Sequence, residues 1–231
     1  MLELFPEGFA EQPAGEEVEL VAFTDEAGAG RLRESFGAVA STPVAPGWED
    51  EWKQFHVPAV VGPLWIGPPW EQPRPELTAV VIDPGQAFGT GAHATTRLCL
   101  EFLVRLERGS VLDVGCGSGV LAIAAATLGF GPVVAIDSDE AAIEATTRNA
   151  AANGIRVEAR LSDATSDRLG AVNIVLANLD LPTLGSLSRE IDCRLVVTSG
   201  YDEAHCPALQ GFRPVARRTQ ENWAADLHTR E

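Results

Sequence analysis

The sequence has few of the residues from which covalent or metal-bound frameworks are built. Its 231 residues include four cysteines, namely Cys99, Cys116, Cys193 and Cys206. None of them has a partner at the short spacing that zinc sites and disulfide frameworks use. His205, beside Cys206, adds too little for a zinc site, and a surface turn is the simpler interpretation. We therefore expect free, buried thiols and no metal.

Long apolar runs and an excess of basic residues are also missing. No stretch approaches the roughly 18 consecutive apolar residues of a membrane-spanning helix, and the N-terminal residues lack the basic start of a signal peptide. Lys and Arg number 17 against 33 Asp and Glu, a formal net charge of -16. Phosphate contacts need clustered cations, so this charge argues against nucleic-acid binding and favours a basic partner or simply solubility. We expect a cytoplasmic monomer away from membranes.

Composition divides the chain into three segments. Residues 1–47 are acidic and contain one predicted strand (18–24) and a short helix (25–37), which together form a small α+β appendage too small for its own core. Residues 48–76 hold four of the five tryptophans and many prolines, and we predict a linker with a short amphipathic helix, an extended strand over 62–67 and a turn. Residues 77–231 form the predicted main domain.

Apolar runs typical of buried strands alternate with helical patterns after residue 77. The predicted strands cover residues 78–83, 110–115, 132–137, 155–161, 173–179, 193–200, 211–219 and 222–229. The predicted helices cover residues 94–107, 120–129, 139–154 and 183–191. Short apolar strands separated by helices indicate a parallel sheet covered on both faces. The predicted fold class is therefore α/β, doubly wound.

A glycine-rich turn, DVGCGSG (residues 113–119), follows the strand expected to be the first of this sheet. A dinucleotide site would have the pattern G-x-G-x-x-G, but Gly115 and Gly117 are followed by Val120 at the third glycine position. The lysine and hydroxyl ending of a phosphate-binding loop is absent as well. The turn thus favours a ligand that approaches the backbone closely without a pyrophosphate, although a tight strand-to-helix turn without ligand is the alternative.

Polar residues that end the following strands narrow the ligand further. Asp137 ends the next strand, where a carboxylate can accept two hydrogen bonds from a ribose diol. The start of the helix after the turn favours a ligand carboxylate. S-adenosylmethionine has both groups, so we predict it as the ligand. Asp163 could accept from its adenine amino group or cap a helix, and Asn178 could meet a substrate amine or simply form a turn.

The segment IDPGQAFGTGAHATTRLCLEFL (residues 82–103) resembles a signature of the bacterial methyltransferases that modify ribosomal protein L11. The likeness continues through VLDVGCGSGVLAIAA, AIDSDEAAIEATTRNAAANG and ANL, and it covers roughly Gly47 to the C-terminus. The resemblance implies a class I, Rossmann-like methyltransferase with a mostly parallel seven-stranded sheet. It implies cofactor contacts at Thr96, Gly115, Asp137 and Asn178.

The resemblance also implies that Phe88 and His93 lie in a loop that closes over the cofactor, although His93 could instead only cap the next helix. The implied reaction is N-methylation of lysine or N-terminal amines of the basic ribosomal protein L11, with Asn178 holding the amine. In the family the substrate-recognition domain is larger than the roughly 47 residues found before the tryptophan-rich segment. Alternatives are a methyltransferase of the same fold acting on another protein or a small molecule, and an inactive cofactor-binding interaction module.

Overall fold

The computed structural model describes residues 10–14, 17–21, 26–37, 39, 57–83, 91–165, 170–187 and 192–231. By internal contacts the chain divides into two units, Met1–Trp52 and Lys53–Glu231. The predicted short amphipathic helix near residue 50 lies outside the described residues.

The first unit contains a two-stranded hairpin and one helix in its described part. Strands β1 (Ala10–Ala14) and β2 (Glu17–Val21) are antiparallel, and helix α1 (Glu26–Phe36) follows. The strand predicted over 18–24 and the helix over 25–37 are confirmed. Strand β1 was not predicted because it contains Pro13 and lacks apolar alternation, both of which argue against a strand.

The second unit begins with a three-stranded sheet. Strand β3 (Ala59–Val61) pairs antiparallel with β4 (Leu64–Gly67), which pairs in parallel with β5 (Thr78–Val81). All four residues of β4 are buried, as the apolar sequence LWIG requires. The extended strand predicted over 62–67 is therefore confirmed. Residues 59–67 fall in the segment interpreted as a linker, yet they contribute side chains to the core of this unit.

The main sheet of the second unit has seven strands in the order β11, β12, β10, β9, β6, β7, β8. Their bounds are β6 (Val111–Val114), β7 (Val133–Asp137), β8 (Glu158–Leu161), β9 (Ala171–Asn178), β10 (Asp192–Asp202), β11 (Phe212–Gln220) and β12 (Trp223–Arg230). Strands β8, β7, β6, β9 and β10 are parallel, and β12 runs antiparallel to both of its neighbours. The prediction of a mostly parallel seven-stranded sheet is confirmed.

Helices cover this sheet, and its core is divided into two clusters. The helices are α2 (Ala94–Leu103), α3 (Val120–Thr127), α4 (Glu140–Ala152) and α5 (Leu181–Leu187). Six of the eight residues of α3 are buried, which explains its uniformly apolar sequence VLAIAAAT. One core cluster joins α2 and α3 to the sheet, and the other joins α5 to it. The doubly wound α/β fold is therefore confirmed.

Candidate active site

A cleft lies at the carboxyl ends of the central strands β6, β7 and β9, with a cavity volume of about 370 Å³. The chain continues from β6 to β7 on one side and later returns to β9 on the other. Such a switch point is where open α/β sheets bind ligands. Six predicted site residues line the cleft, and these are Thr96, Gly115, Gly117, Asp137, Asp163 and Asn178.

The turn between β6 and α3 contains three glycines with positive φ. The angles are 69° at Gly115, 53° at Gly117 and 81° at Gly119, a region that residues with a side chain rarely adopt. A Cβ at Gly115 would also overlap the side chain of Leu179, and one at Gly119 would lie 2.8 Å from Thr146 Oγ1. Backbone conformation and packing therefore require these glycines.

Asp137, the last residue of β7, faces the glycine turn. Its Oδ2 accepts a hydrogen bond from the Gly117 N–H at 3.0 Å, and its Oδ1 accepts one from the Asp139 N–H at 3.1 Å. A carboxylate oxygen can accept a second hydrogen bond, so both oxygens retain acceptor capacity. The two backbone donors fix the carboxylate in an orientation suited to a pair of neighbouring hydroxyls.

Asp113, in the strand that leads into the glycine turn, is a second acid in the cleft, and its sequence position alone predicts no role for it. Its side chain is buried, and Oδ2 accepts a hydrogen bond from the Ala122 N–H at 3.0 Å. Burial raises the pKa of Asp113 to about 7, although the hydrogen bond from Ala122 opposes this rise. The cleft therefore contains a carboxyl group that titrates near neutral pH.

Asn178 ends β9, and two threonines at the start of α2 hold its side chain. The Nδ2 group donates to Thr95 Oγ1 at 3.2 Å and to Thr96 Oγ1 at 3.4 Å. Both threonines are buried. Because the amide hydrogens of Asn178 serve these hydroxyls, its carbonyl oxygen is the group that it can offer to an amine.

His93 precedes α2 and acts as its N-cap. Its Nδ1 accepts from the Thr95 N–H at 3.4 Å and lies 2.7 Å from Thr95 Oγ1, and its ring meets Trp223 edge to face. With Nδ1 as the acceptor, the Thr95 hydroxyl donates to His93 and accepts from Asn178. His93 therefore caps the following helix, as one of its two predicted roles stated. His93 is not among the cleft-lining residues, so a direct contact with a cofactor stays a prediction.

Two further acids lie at the cleft or next to it. Asp163 lines the cleft, and Asp180 bonds a residue that does. Asp163, after β8, accepts from the Thr165 N–H at 2.9 Å and from the Thr165 hydroxyl at 2.7 Å. Asp180 accepts from the N–H of Thr183, a cleft-lining residue at the start of α5, at 2.8 Å. Hydrogen bonds from the backbone and then the side chain of Thr183 hold the pKa of Asp180 below its usual range. Asp163 is thus the carboxylate of an Asx turn inside the cleft.

The remaining predictions are those for Phe88, for the four cysteines and for metal binding. Phe88 lies outside the described residues, so its role stays a prediction. Cys99, Cys116 and Cys193 are buried as expected, whereas Cys206 is exposed, so the prediction of a buried thiol is wrong there. Burial raises the pKa of Cys116 and of Cys193 to about 12, which removes thiolate chemistry at neutral pH. In the described part of the chain, no three or more His, Cys, Asp or Glu side chains are placed to hold a metal ion.

Three polar residues that hydrogen-bond to the glycine turn or to a cleft-lining side chain were not predicted from the sequence. Thr95 is one of them, and Thr146 and Asn149 on α4 are the others. A signal for the α4 pair was present, because both residues lie on the alanine-rich face of the helix predicted over 139–154, where a polar side chain needs a partner. Thr95 had no such signal beyond its position next to Thr96.

The topology and the cleft define the class of the protein, which is a methyltransferase of the Rossmann-like type. The solved structure of a ribosomal protein L11 methylase from Lactobacillus delbrueckii subsp. bulgaricus superimposes with a TM-score of 0.66 at 29% sequence identity. The match covers 76% of this chain and 99% of that one. Within the described residues, no helix has the length and apolarity needed to cross a membrane.

Sequence comparison gives the family. The model of the family described as ribosomal protein L11 methyltransferase (PrmA) matches residues 19–202. A ribosomal protein L11 methyltransferase of Legionella pneumophila (strain Paris) is 40% identical over 197 residues, which are 79% of this chain and 68% of the relative. One from Dechloromonas aromatica (strain RCB) is 50% identical over 129 residues, 54% of this chain and 43% of the relative. The chain belongs to the ribosomal protein L11 methyltransferase family.

The resemblance stated from the sequence is therefore confirmed, with two differences in extent. The family match ends at residue 202, whereas the resemblance was traced to the C-terminus. The family match begins at residue 19, inside the first unit, whereas the resemblance was traced back only to about Gly47. Part of the acidic N-terminal segment thus belongs to the same family pattern.

Proposed function

We propose that the chain is an S-adenosylmethionine-dependent N-methyltransferase that modifies lysine or N-terminal amines of ribosomal protein L11. The observation that carries this proposal is the pairing of the Asp137 carboxylate with the glycine turn at one side of the cleft and Asn178 at the other. A carboxylate fixed beside a bare backbone turn suits a ribose-bearing donor, and an amide carbonyl suits an incoming amine.

The residues present fit an adenosyl donor. Gly115 and Leu179 both line the cleft, and a Cβ at Gly115 would overlap the Leu179 side chain. At this point the turn therefore presents backbone and no side chain to a ligand. Asp137 would accept hydrogen bonds from the ribose hydroxyls, and Asp163 from an adenine amino group. Thr96 would contact the donor beside Asn178. When bound, S-adenosylmethionine would supply an electrophilic methyl group, which passes from the sulfonium sulfur to a neutral amine and leaves the sulfur as a thioether.

Positioning of the amine is the main task left to the protein. A lysine amine has a pKa near 10.4 in water and reacts only after it loses its proton, and desolvation in a closed cleft lowers that pKa. The Asn178 carbonyl, oriented by Thr95 and Thr96, would accept a hydrogen bond from the amine and aim its lone pair. Alignment of nitrogen with the methyl group then supplies most of the rate.

Two facts support L11 as the substrate. Both relatives quoted above bear that substrate in their names. The formal net charge of -16 would also speed encounter with a basic protein. We further propose that the chain needs no contact with nucleic acid and acts as a monomer in the cytoplasm.

Transfer of label from S-adenosylmethionine to purified L11 tests this function. L11 with its amines acetylated is the matched control, and an extract of a methylation-deficient strain is assayed in parallel. We expect label on unmodified L11 only, mapped by mass spectrometry to lysine or the N-terminal amine.

The other outcomes separate the parts of the proposal. Label only on another species in the extract would keep the methyltransferase and refute L11 as its substrate. Binding of S-adenosylmethionine in calorimetry without transfer to any species would refute the enzyme and favour the inactive cofactor-binding interaction module. Absence of both transfer and binding would refute the donor.

A further inference from the structure

Helix α4 carries two polar side chains on its buried face. This face otherwise consists of Ala142, Ala145 and Ala150, while Thr146 and Asn149 have 0% and 3% of their surface exposed. Buried polar groups in proteins are almost always hydrogen-bonded, so these two need partners in a neighbouring element. Residues three apart in a helix share one face, and both point to the same neighbour.

That neighbour is the glycine turn of the cleft. The Thr146 hydroxyl donates to the Gly117 carbonyl at 3.1 Å, and the Asn149 amide donates to the Ser118 carbonyl at 2.9 Å. Two consecutive carbonyls of the turn are thus held from one helix face. The contact is close, because a Cβ at Gly119 would lie 3.1 Å from Thr146 Cα.

Asn149 also joins the turn to the segment that follows β5. Its amide donates to the Asp83 carbonyl at 3.2 Å, and its Oδ1 accepts from the Asp83 N–H at 3.0 Å. Asn153, one turn later in the sequence, bonds Val81 in the same way at 2.6 and 2.8 Å. Asn153 has no hydrogen bond to the glycine turn among those described, and its amide donates instead to the Asn149 carbonyl at 2.7 Å. Asn153 is therefore a control for the bonds to the segment after β5, although it is less buried than Asn149.

A turn built from three glycines needs such anchors. Glycine has the largest conformational freedom of any residue, so the turn alone would populate many conformations, and only some would present Gly117 to Asp137. Because peptide groups are planar, fixing the Gly117 and Ser118 carbonyls fixes both peptide planes between Gly117 and Gly119. Anchoring before binding removes an ordering cost that the ligand would otherwise meet.

We propose that Thr146 and Asn149 are positioning residues that hold the glycine turn in the conformation that binds the methyl donor. The role in donor binding rests on the proposed function, whereas the anchoring itself is a property of the ligand-free protein. The two can therefore be measured separately.

The test compares the wild type with Thr146→Val, Thr146→Ser, Asn149→Ala and Asn153→Ala. Hydrogen exchange of the Gly117 and Gly119 amides in ligand-free protein reports anchoring, and calorimetric titration with S-adenosylmethionine reports donor affinity. Each of Thr146→Val and Asn149→Ala removes one hydrogen bond to a carbonyl of the turn, which predicts about five- to tenfold faster exchange and five- to tenfold weaker binding. Asn149→Ala also removes two bonds with Asp83, for which the two bonds of Asn153 with Val81 are the control. Thr146→Ser should restore both, and Asn153→Ala should change neither, although it lowers the thermal midpoint.

The readouts distinguish the possible failures. Unchanged exchange at Gly117 and Gly119 in Thr146→Val would overturn the anchoring role, whatever the donor. Equal changes in Asn149→Ala and Asn153→Ala would overturn it too, since they would reflect general loss of stability. Faster exchange with no S-adenosylmethionine binding by the wild type would refute the proposed donor and leave the anchor supported.

Discussion

Replacement of Asp137 by alanine tests the centre of the cleft. In the ligand-free protein its carboxylate accepts two backbone hydrogen bonds, from Gly117 and Asp139, so the substitution costs about 1–2 kcal/mol of stability. Toward S-adenosylmethionine it removes two further hydrogen bonds to a charged acceptor, each worth about 1.5–3 kcal/mol. Since 1.4 kcal/mol is a factor of ten, the dissociation constant should rise at least about a hundredfold.

Asp139→Ala is the matched control for this prediction. Asp139 caps α4 by accepting from the Ala141 N–H at 2.9 Å, and it does not line the cleft. Loss of an N-cap costs about 1 kcal/mol, close to the stability cost expected for Asp137→Ala. The two variants should therefore unfold at similar denaturant concentrations but differ greatly in affinity.

Calorimetric titration with S-adenosylmethionine and urea unfolding followed by circular dichroism measure the two quantities. A folded Asp137→Ala protein that binds within threefold of the wild type would refute the assignment of Asp137 to the ribose. Equally weakened binding in Asp139→Ala would show that the loss arises from stability.

Three more predictions concern neighbouring residues. Gly115→Ala should lower the free energy of unfolding by about 1–3 kcal/mol, because φ is 69° and the Cβ would overlap Leu179; an unchanged urea midpoint would contradict this. The folded pKa of Asp113, about 7, exceeds its unfolded value of 3.8, so its stabilising effect is complete below pH 3.8 and is lost as pH rises to 7. The free energy of unfolding of Asp113→Asn should therefore rise relative to that of the wild type between pH 5 and 8, by on the order of 1 kcal/mol per pH unit up to pH 7. Urea unfolding of both proteins across this range measures the difference, and a difference that does not change with pH would refute the raised pKa of Asp113. Thr95→Val should lower kcat about tenfold by releasing the Asn178 amide, with little change in the S-adenosylmethionine KM, and Thr95→Ser should restore kcat.

The main elements of the fold could be predicted because their apolar periodicity is local. The strand and helix on either side of DVGCGSG occur within a few residues of their predicted limits, since a buried strand and a buried helix each leave a continuous apolar run. Strand β1 could not be predicted, because its own residues do not favour a strand. Its extended conformation depends on pairing with β2.

The cleft was predictable from local sequence where a residue stands at or just after the end of a strand, and at Thr96 only through the resemblance. Asp137 and Asn178 each end a strand, and strand ends meet at one edge of a parallel sheet. Thr95 supports Asn178 across 83 positions of sequence, and Asn149 contacts Asp83 across 66. Such contacts follow from the packing of helices on the sheet, which no local pattern encodes.

The glycine pattern itself carries less information about the ligand than the residues around it. Gly115 and Gly119 are required by close approach to Leu179 and Thr146, so both would be needed in this turn even without a ligand. In a dinucleotide site a third glycine lets the helix pack closely; here Gly119 approaches α4, and Val120 at the following position lines the cleft. The side chain at Val120 is therefore what separates this turn from a dinucleotide site, whereas a carboxylate at the end of the next strand, such as Asp137, is common to both. The proposed donor site thus depends on the polar residues at the strand ends, while Gly115 and Gly119 let the turn pack against Leu179 and Thr146.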